Sequence, residues 1–146
     1  MEKGHFSMLI GEYQHTLDVK GRIFIPAKLR EDLGKSFIVT KNMEKCLSIY
    51  SLSEWTIFEN NIQKMPYKEA RLLIKFYHGS AAELEPDKQG RVVIPQHLRE
   101  YAGLEKEVSI VGALDHVELW DKEMHDKDVE TIDSDQIVHI MEKFKN

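Results

Sequence analysis

Apolar positions along the chain fall into short runs, and two of these runs are nearly the same. The stretches "GRIFIP" and "GRVVIP" are apolar and β-branched, open with Gly and end with Pro, which is typical of a short strand. Each continues into "PAKLREDLG" or "PQHLREYAG", where Pro stands at a favoured helix start and Gly at a favoured helix end. Leu29 and Leu33, like Leu98 and Ala102, are four residues apart and predict one buried helix face in each run.

Further periodic runs predict more strands and helices. Short apolar-rich runs indicate four strands, at residues 37-40, 47-50, 108-111 and 117-120, and the second and fourth lie in the alternating stretches "CLSIYS" and "HVELWD". Ser51 and Glu54 form a capping box that opens a helix, and Pro66 separates it from a second helix over residues 67-78. Near the carboxyl end, an i, i+3, i+4, i+7 pattern predicts an amphipathic helix whose stripe packs on its own or a neighbouring chain: Ile137, Ile140, Met141 and Phe144.

The two similar runs belong to an internal repeat. "DVKGRIFIPAKLRE", from Asp18, and "DKQGRVVIPQHLRE", from Asp87, are identical at eight of fourteen positions. Each copy has few apolar residues to bury alone, so we expect two copies to close one barrel-like core between them. The sequence therefore predicts an α+β fold with two repeated units, at residues 8-52 and 81-124. A helical hairpin at residues 53-80 links them, and an acidic tail with a helix follows at residues 125-146.

Composition narrows the class of protein. The 146 residues are 42% hydrophobic and 31% charged, as in a soluble globular domain. No run approaches the roughly 20 apolar residues of a membrane span, and the amino terminus has no secretory signal, so we expect a cytoplasmic protein without membrane contact. The single cysteine, Cys46, lies in an apolar alternation and is expected to be a small buried hydrophobe in a reducing compartment.

Charge is unevenly distributed, although the formal net charge of -5 argues mildly against nucleic acid. Residues 15-45 contain seven Lys or Arg against four Asp or Glu, whereas residues 117-146 contain nine acids against four bases. A basic region beside an acidic tail is compatible with nucleic-acid binding. Solvated faces of a neutral protein explain the same charges equally well.

Motifs for catalysis are missing from the sequence. There is no phosphate-binding glycine loop, no two-His helix motif with Glu and no paired-cysteine metal spacing. His116 and His125 flank three acids, Glu118, Asp121 and Glu123, but without a metal-site signature. We therefore expect no enzyme, no metal or other cofactor and no small-molecule substrate.

The repeated feature with chemical potential is an Asp followed four residues later by Arg. A carboxylate at this spacing across a Gly-containing turn can hold the guanidinium in one orientation by a charge-assisted hydrogen bond. An Arg so held suits bidentate reading of guanine or clamping of phosphate, with a nearby Lys adding a phosphate contact. The alternative is an ion pair that only pins a turn. The candidate DNA-binding residues are Lys20, Arg22, Lys88 and Arg91, and the candidate loop-orienting residues are Asp18, Gly21, Asp87 and Gly90.

These residues also carry a family resemblance. "GEYQHTLDVKGRIFIPAKLRE" together with "ELEPDKQGRVVIPQHLREYAGLEKEV" resembles the MraZ family, bacterial regulators built from two SpoVT-AbrB type units with a D-x-x-x-R signature in each. The resemblance covers residues 8-123. It implies a double-split, swapped-hairpin β-barrel, assembly of chains into a homo-oligomeric ring, and a cytoplasmic, nucleoid-associated location.

The function implied by the resemblance is sequence-specific binding of double-stranded DNA. The targets would be direct repeats in the protein's own promoter, in the division and cell wall gene cluster, with repression as the usual outcome. The DNA contacts of the family fall on Lys20 and Arg22 of the first loop, with Lys88 and Arg91 in the matching loop of the second unit.

This sequence departs from the family pattern in several places, among them "YHGSA" from Tyr77, where many relatives have "FFSGA". The second unit has four bases against five acids over residues 87-116, which puts its equal share in DNA contact in doubt. His116 stands near a position where many relatives have Arg, so a weaker or pH-dependent contact is expected there. An alternative function is an antitoxin-like interaction module of the same fold that holds a partner protein through its acidic tail; a small hydrolase is favoured by no feature of the sequence.

Overall fold

The computed structural model describes residues 7-145, which contain eight strands and six α-helices. The strands are β1 (Glu12–Thr16), β2 (Arg22–Phe24), β3 (Phe37–Lys41), β4 (Leu47–Ser51), β5 (Ala82–Leu84), β6 (Arg91–Val93), β7 (Glu107–Gly112) and β8 (Val117–Asp121). The helices are α1 (Ala27–Leu33), α2 (Leu52–Gln63), α3 (Tyr67–Leu73), α4 (Gln96–Ala102), α5 (Lys122–Glu130) and α6 (Ser134–Lys143). A π-helical turn, Ile74–His78, continues α3.

The strands form one six-stranded antiparallel sheet and a separate two-stranded ribbon. The sheet has the order β1-β7-β8-β4-β3-β5, and the ribbon pairs β2 with β6. The first strand of each unit pairs with a strand of the other unit, since β1 lies beside β7 and β5 lies beside β3. The units also meet at the centre of the sheet, where Ser48 of β4 is opposite Glu118 of β8. The hydrogen-bonded core is therefore shared by both repeats.

The α+β class and the two repeated units are confirmed, but the predicted closed barrel is not. Strands β1 and β5 are the two edges of the sheet and do not pair with each other. The ribbon does not bridge these edges. Its strands β2 and β6 are three residues long, and within residues 7-145 each pairs with no strand except the other. Pro26 and Pro95 follow these strands closely, and proline cannot donate a ladder hydrogen bond. The architecture is an open sheet with a ribbon packed beside it.

A single hydrophobic cluster fills the space between sheet, ribbon and the helices α1 and α4. The predicted helix faces lie in it, with Leu29, Leu33, Leu98 and Ala102 all buried. Cys46 is also buried, as expected, and burial raises the pKa of its thiol. None of the helices within the described range is long and apolar enough to cross a membrane.

Local signals predicted most elements, and the capping signal is confirmed in part. The Ser51 hydroxyl accepts a hydrogen bond from the Glu54 backbone N–H at 3.1 Å, which caps α2. The Glu54 carboxylate does not accept the second hydrogen bond of a capping box, from the Ser51 backbone N–H. It accepts a hydrogen bond from the Ser7 hydroxyl instead, at 2.8 Å. The strands β1 and β5 and the helix α5 were not among the predicted elements.

Shared strands predict that neither half of the chain folds alone. Fragments 7-80 and 81-145 should each be largely unfolded, because β7 without β1 and β3 without β5 expose apolar faces and unpaired edges. Mixed or co-expressed, the two fragments should associate and regain the circular dichroism spectrum of the intact chain. Cooperative thermal unfolding of either isolated fragment would contradict this interpretation.

Candidate nucleic-acid interface

The first signature loop is a turn built around the Asp18 carboxylate. One oxygen, Oδ1, accepts hydrogen bonds from the backbone N–H groups of Lys20 and Arg22, both at 2.9 Å. The other oxygen, Oδ2, accepts from Arg22 Nε at 2.6 Å. The Asp18 backbone N–H and carbonyl close the loop through Arg22 O and Gly21 N, both at 2.9 Å. This is the local side-chain to backbone bonding for which Asp is favoured in turns.

The second signature loop repeats this arrangement. Asp87 Oδ1 accepts from the backbone N–H groups of Gln89 and Arg91 at 2.9 Å, and Oδ2 accepts from Arg91 Nε at 2.9 Å. Gly90 has a φ of 83°, close to the 82° of Gly21 in the first loop. Both glycines therefore hold the left-handed conformation that other residues adopt at a cost. The predicted loop-orienting residues are brought together as the D-x-x-x-R spacing suggested.

Each Asp uses its hydrogen bonds to fix one edge of an arginine. The backbone N–H of Arg22, together with the Arg22 guanidinium, holds the pKa of Asp18 below its ordinary value, and the same arrangement at Arg91 lowers the pKa of Asp87. The stabilising bonds are thus present at neutral pH and are lost only as pH falls below the ordinary Asp range, about 3.9. Only Nε of each arginine is used, so within residues 7-145 the terminal Nη donors have no protein acceptor. An oriented guanidinium with unused donors is suited to a bidentate acceptor.

The two loops are joined by the ribbon beneath them. The Ile25 backbone N–H donates to Gly90 O at 3.0 Å, and the Ile94 N–H donates to Gly21 O at 2.9 Å, so each loop is bonded to the opposite unit. In the ribbon register, Arg22 is opposite Val93 and Arg91 is opposite Phe24. These four residues share the outer face. The inner face consists of Ile23 and Val92, which are buried.

The register also determines how near the two arginines lie. Arg22 and Arg91 are diagonal neighbours on one face of an antiparallel pair, a relation that corresponds to roughly 7–8 Å between backbones. The repeat thus places both arginines on one face of the ribbon, each with its guanidinium held by the Asp of its own loop. The candidate DNA-binding arginines are therefore close together, although they are separated in sequence by the whole linking hairpin.

Two further arginines, which the sequence pattern did not predict, lie beside the signature loops. Arg30 donates from Nε to Ile25 O at 2.7 Å, and Arg99 donates to Ile94 O at 2.9 Å. The Arg99 guanidinium lies against Gly21, since a Cβ added there would be 3.0 Å from Cζ; Arg30 lies 2.9 Å from the corresponding position on Gly90. Neither arginine forms an ion pair within residues 7-145. Their recurrence in the repeat, as the Arg of "LRE", was the available signal.

The loops differ in the side chains they expose. The backbone N–H groups of Lys20 and Gln89 make the same bond to the loop Asp, so these two residues are equivalent. The counterpart of Lys88 is therefore Val19, which is 99% exposed, rather than Lys20. The first loop thus presents an apolar residue and a cation, and the second a cation and an amide.

His116 does not lie in a loop of this surface but is bound between two carboxylates. Its Nδ1 is 2.7 Å from Asp115 Oδ1, its Nε2 is 2.9 Å from Glu118 Oε2, and its ring stacks on Tyr50 at 5.3 Å between centroids. Burial disfavours the charged imidazolium, but the hydrogen bonds to Glu118 and Asp115 outweigh this and raise the pKa of His116 above its ordinary value. The imidazole nitrogens are thus already engaged within the protein. Neither this cluster nor any other group of three or more His, Cys, Asp or Glu side chains within residues 7-145 is placed to hold a metal ion.

Comparison with known proteins agrees with this two-loop arrangement. The profile of the family described as "MraZ protein, putative antitoxin-like" matches the chain twice, over residues 8-73 and 78-143. The Transcriptional regulator MraZ of Caldicellulosiruptor bescii is 49% identical over 140 residues, which are 93% of this chain and 98% of that protein. The Transcriptional regulator MraZ of Acetivibrio thermocellus is 53% identical over 117 residues, which are 79% of this chain and 82% of that protein. The protein of the same name from Clostridium beijerinckii is 48% identical over 137 residues, which are 92% of this chain and 96% of that protein.

These matches define the class of protein to which the paired loops belong: the relatives are transcriptional regulators rather than enzymes. The chain belongs to the MraZ family. Each of the two profile matches includes a helical hairpin, α2–α3 in the first and α5–α6 in the second. The repeat recognised by the family profile is therefore longer than the strand-rich part that sequence inspection revealed.

The glycine environments predict unequal costs for adding a side chain. Gly90→Ala should lower the free energy of unfolding by more than the roughly 1–2 kcal/mol of a left-handed residue, because the new Cβ would also meet the Phe24 ring at 2.9 Å. Gly103→Ala is the matched control, since Gly103 has a φ of 65° but no atom within 4 Å of the added Cβ. Urea unfolding of both variants measures the difference. Equal losses would show that the loop packs less tightly than described.

The raised pKa of His116 predicts a pH-dependent contribution to stability. A raised folded-state pKa stabilises fully below the ordinary His value, about 6.5, and this contribution is lost as pH rises through the folded-state pKa. The loss of unfolding free energy caused by His116→Gln should therefore be larger at pH 6 than at pH 9, measured by urea unfolding at each pH. In an Asp115→Asn background the dependence should be weaker. A loss independent of pH would contradict the carboxylate assignment.

Proposed function

We propose that the protein is a sequence-specific DNA-binding transcriptional regulator that acts as a repressor. It binds direct repeats in its own promoter, in the division and cell wall gene cluster, and works as a homo-oligomeric ring in the cytoplasm, at the nucleoid. The names of the relatives support the regulatory role, and the family resemblance supports the promoter and the ring. Double-stranded DNA and further copies of the chain are the proposed partners.

The observation that carries the proposal is the pair of oriented arginines on one face of the ribbon. Arg22 and Arg91 are each fixed at Nε by a carboxylate and keep their Nη donors for an external acceptor. Guanine presents two acceptors, N7 and O6, in the major groove, and bidentate Arg is the commonest reader of that edge. Arg30 and Arg99 add positive charge that no carboxylate within residues 7-145 neutralises, which suits phosphate contacts beside the base contact.

A binding comparison tests the proposal. Fluorescence anisotropy would be measured with a duplex from upstream of the protein's own operon and with a scrambled duplex, at two salt concentrations. Tight, salt-dependent binding to the operon duplex alone is expected. Equal weak binding to both duplexes would leave only a generic basic surface and would overturn the proposal.

Substitutions of Arg22 and Lys20 are predicted to weaken DNA binding in different ways. Arg22→Ala should weaken specific binding by about 1–3 kcal/mol, the usual loss for a bidentate base contact, whereas Lys20→Ala should weaken all sequences similarly and lower the salt slope by about one. Arg22→Lys is the matched control, since it keeps the charge but removes the planar fork, and it should retain the salt slope while losing sequence preference. Unchanged operon affinity in Arg22→Ala would refute the role of the first loop.

Ring geometry predicts a strict spacing of the DNA repeats. Successive chains would present their Arg22 loops to the same groove, so repeats about one helical turn apart, ~10 base pairs, would match them. Moving one repeat by half a turn should abolish tight binding in the same anisotropy assay, and moving it by a full turn should restore part of it. Indifference to the half-turn shift would argue against several chains acting on one face of DNA.

A second candidate function is an antitoxin-like interaction module. The family description contains this term, and the helix α6 offers an exposed apolar stripe to a partner. This function requires no preference between operon and scrambled duplexes, so the anisotropy comparison separates the two candidates.

A further inference from the structure

The carboxyl-terminal helix α6 carries an apolar stripe that is left exposed by the rest of residues 7-145. The predicted spacing i, i+3, i+4, i+7 is present, and no residue of α6 is buried. Met141 is 67% exposed and Phe144, at the end of the helix, is 76% exposed. Four large apolar side chains in one stripe are more than the scattered single residues of an ordinary surface. They are Ile137, Ile140, Met141 and Phe144.

The corresponding helix of the first unit is packed. Helix α3 follows β4 and α2 in the same way that α6 follows β8 and α5, and the two family matches include both hairpins. In the first unit Ala70 of α3 is buried, α3 contacts α2, and the π-helical turn after α3 contacts β3. The same position in the repeat is therefore folded onto its own unit in one case and left open in the other.

The outer face of α3 has the complementary chemistry. Lys68, Arg71, Leu72 and Lys75 are spaced i, i+3, i+4, i+7, and Leu72 is 68% exposed among the three cations. No ion pair within residues 7-145 involves these cations. In contrast, residues 122-135, which contain α5 and the start of α6, hold six acids against two bases. An acidic helix pair with an apolar stripe and a basic helix with an exposed leucine are complementary in both charge and polarity.

We propose that the α6 stripe of one copy docks on the outer face of α3 of a second copy. The two surfaces lie in different units of the chain, so the contact is heterologous, and every added copy leaves one α6 and one α3 face unused. Such a contact continues until it closes into a ring. The inference rests on the proposed function, for which it supplies the surface that joins neighbouring subunits.

Sedimentation velocity of the full chain and its variants tests the contact. The wild type should sediment as an oligomer. A stripe variant, Ile140→Lys with Phe144→Lys, places new cations against the basic α3 face, and a face variant, Lys68→Glu with Leu72→Glu, removes a cation and the exposed leucine. Each should sediment as a monomer. His139→Lys lies on the side of α6 away from the stripe and is the matched control, which should assemble like the wild type. All changed side chains are exposed, and unaltered circular dichroism and melting temperature would confirm folding; if the stripe variant unfolds, Ile137→Gln with Met141→Gln replaces it.

The decisive sample is a mixture of the two variants. The stripe variant keeps its α3 face and the face variant keeps its α6 stripe, so one contact can form and the mixture should yield a species of two chains. An oligomeric face variant alone would show that α6 pairs with α6 or with another surface, and would overturn the proposal. A monomeric wild type, or a mixture that remains monomeric, would overturn it as well.

DNA binding distinguishes failure of this inference from failure of the proposed function. Binding of a duplex with one repeat should be nearly unchanged in both variants, because the arginine loops are untouched, whereas the advantage of tandem repeats should disappear. If the variants assemble like the wild type while operon binding remains specific, the docking contact is wrong and the regulator stands. If assembly follows the prediction while operon and scrambled duplexes bind equally, the regulator is wrong and the contact stands.

Discussion

The structure depends on backbone pairing between the two copies of its repeat. Strand β1 completes the sheet of the second unit, β5 completes that of the first, and β2 pairs with β6. Because a buried backbone group without a partner is costly, no unit can satisfy its own strands alone. The same pairing places the two signature loops on one ribbon, so that the strand pairing required for folding also brings the two arginine loops together.

Helix ends and loop hydrogen bonds were predictable from the sequence where a single residue type determines the local backbone conformation. Pro26 and Gly34 bracket α1, and the Asp18 to Arg22 spacing corresponds to the hydrogen bonds that hold the loop. Partners of strands were not predictable in the same way. Periodicity reports which face of a strand is buried, but not that β1 pairs with β7, and the closed barrel expected from the repeat is an open sheet instead.

Two of the missed elements share a physical reason. Strand β1, "EYQHT", and helix α5, "KEMHDKDVE", are polar and show little apolar periodicity, since β1 has no buried residue and α5 buries only His125. Arg30 and Arg99 were missed because they are separated in sequence from the loops they contact. A side chain that acts across the repeat is visible only when the two units are brought together.

The crossed packing of arginines on glycines also restricts how the two halves can evolve. Arg99 packs against Gly21, and Arg30 packs against Gly90. Each turn therefore depends on a residue encoded in the other half of the gene. A recombination event that copies one half over the other would preserve both contacts, whereas independent drift at a glycine or its arginine would damage a loop in the other copy. The two halves of the repeat are therefore constrained by each other's sequence. We expect the two glycines and the two arginines to change jointly or not at all.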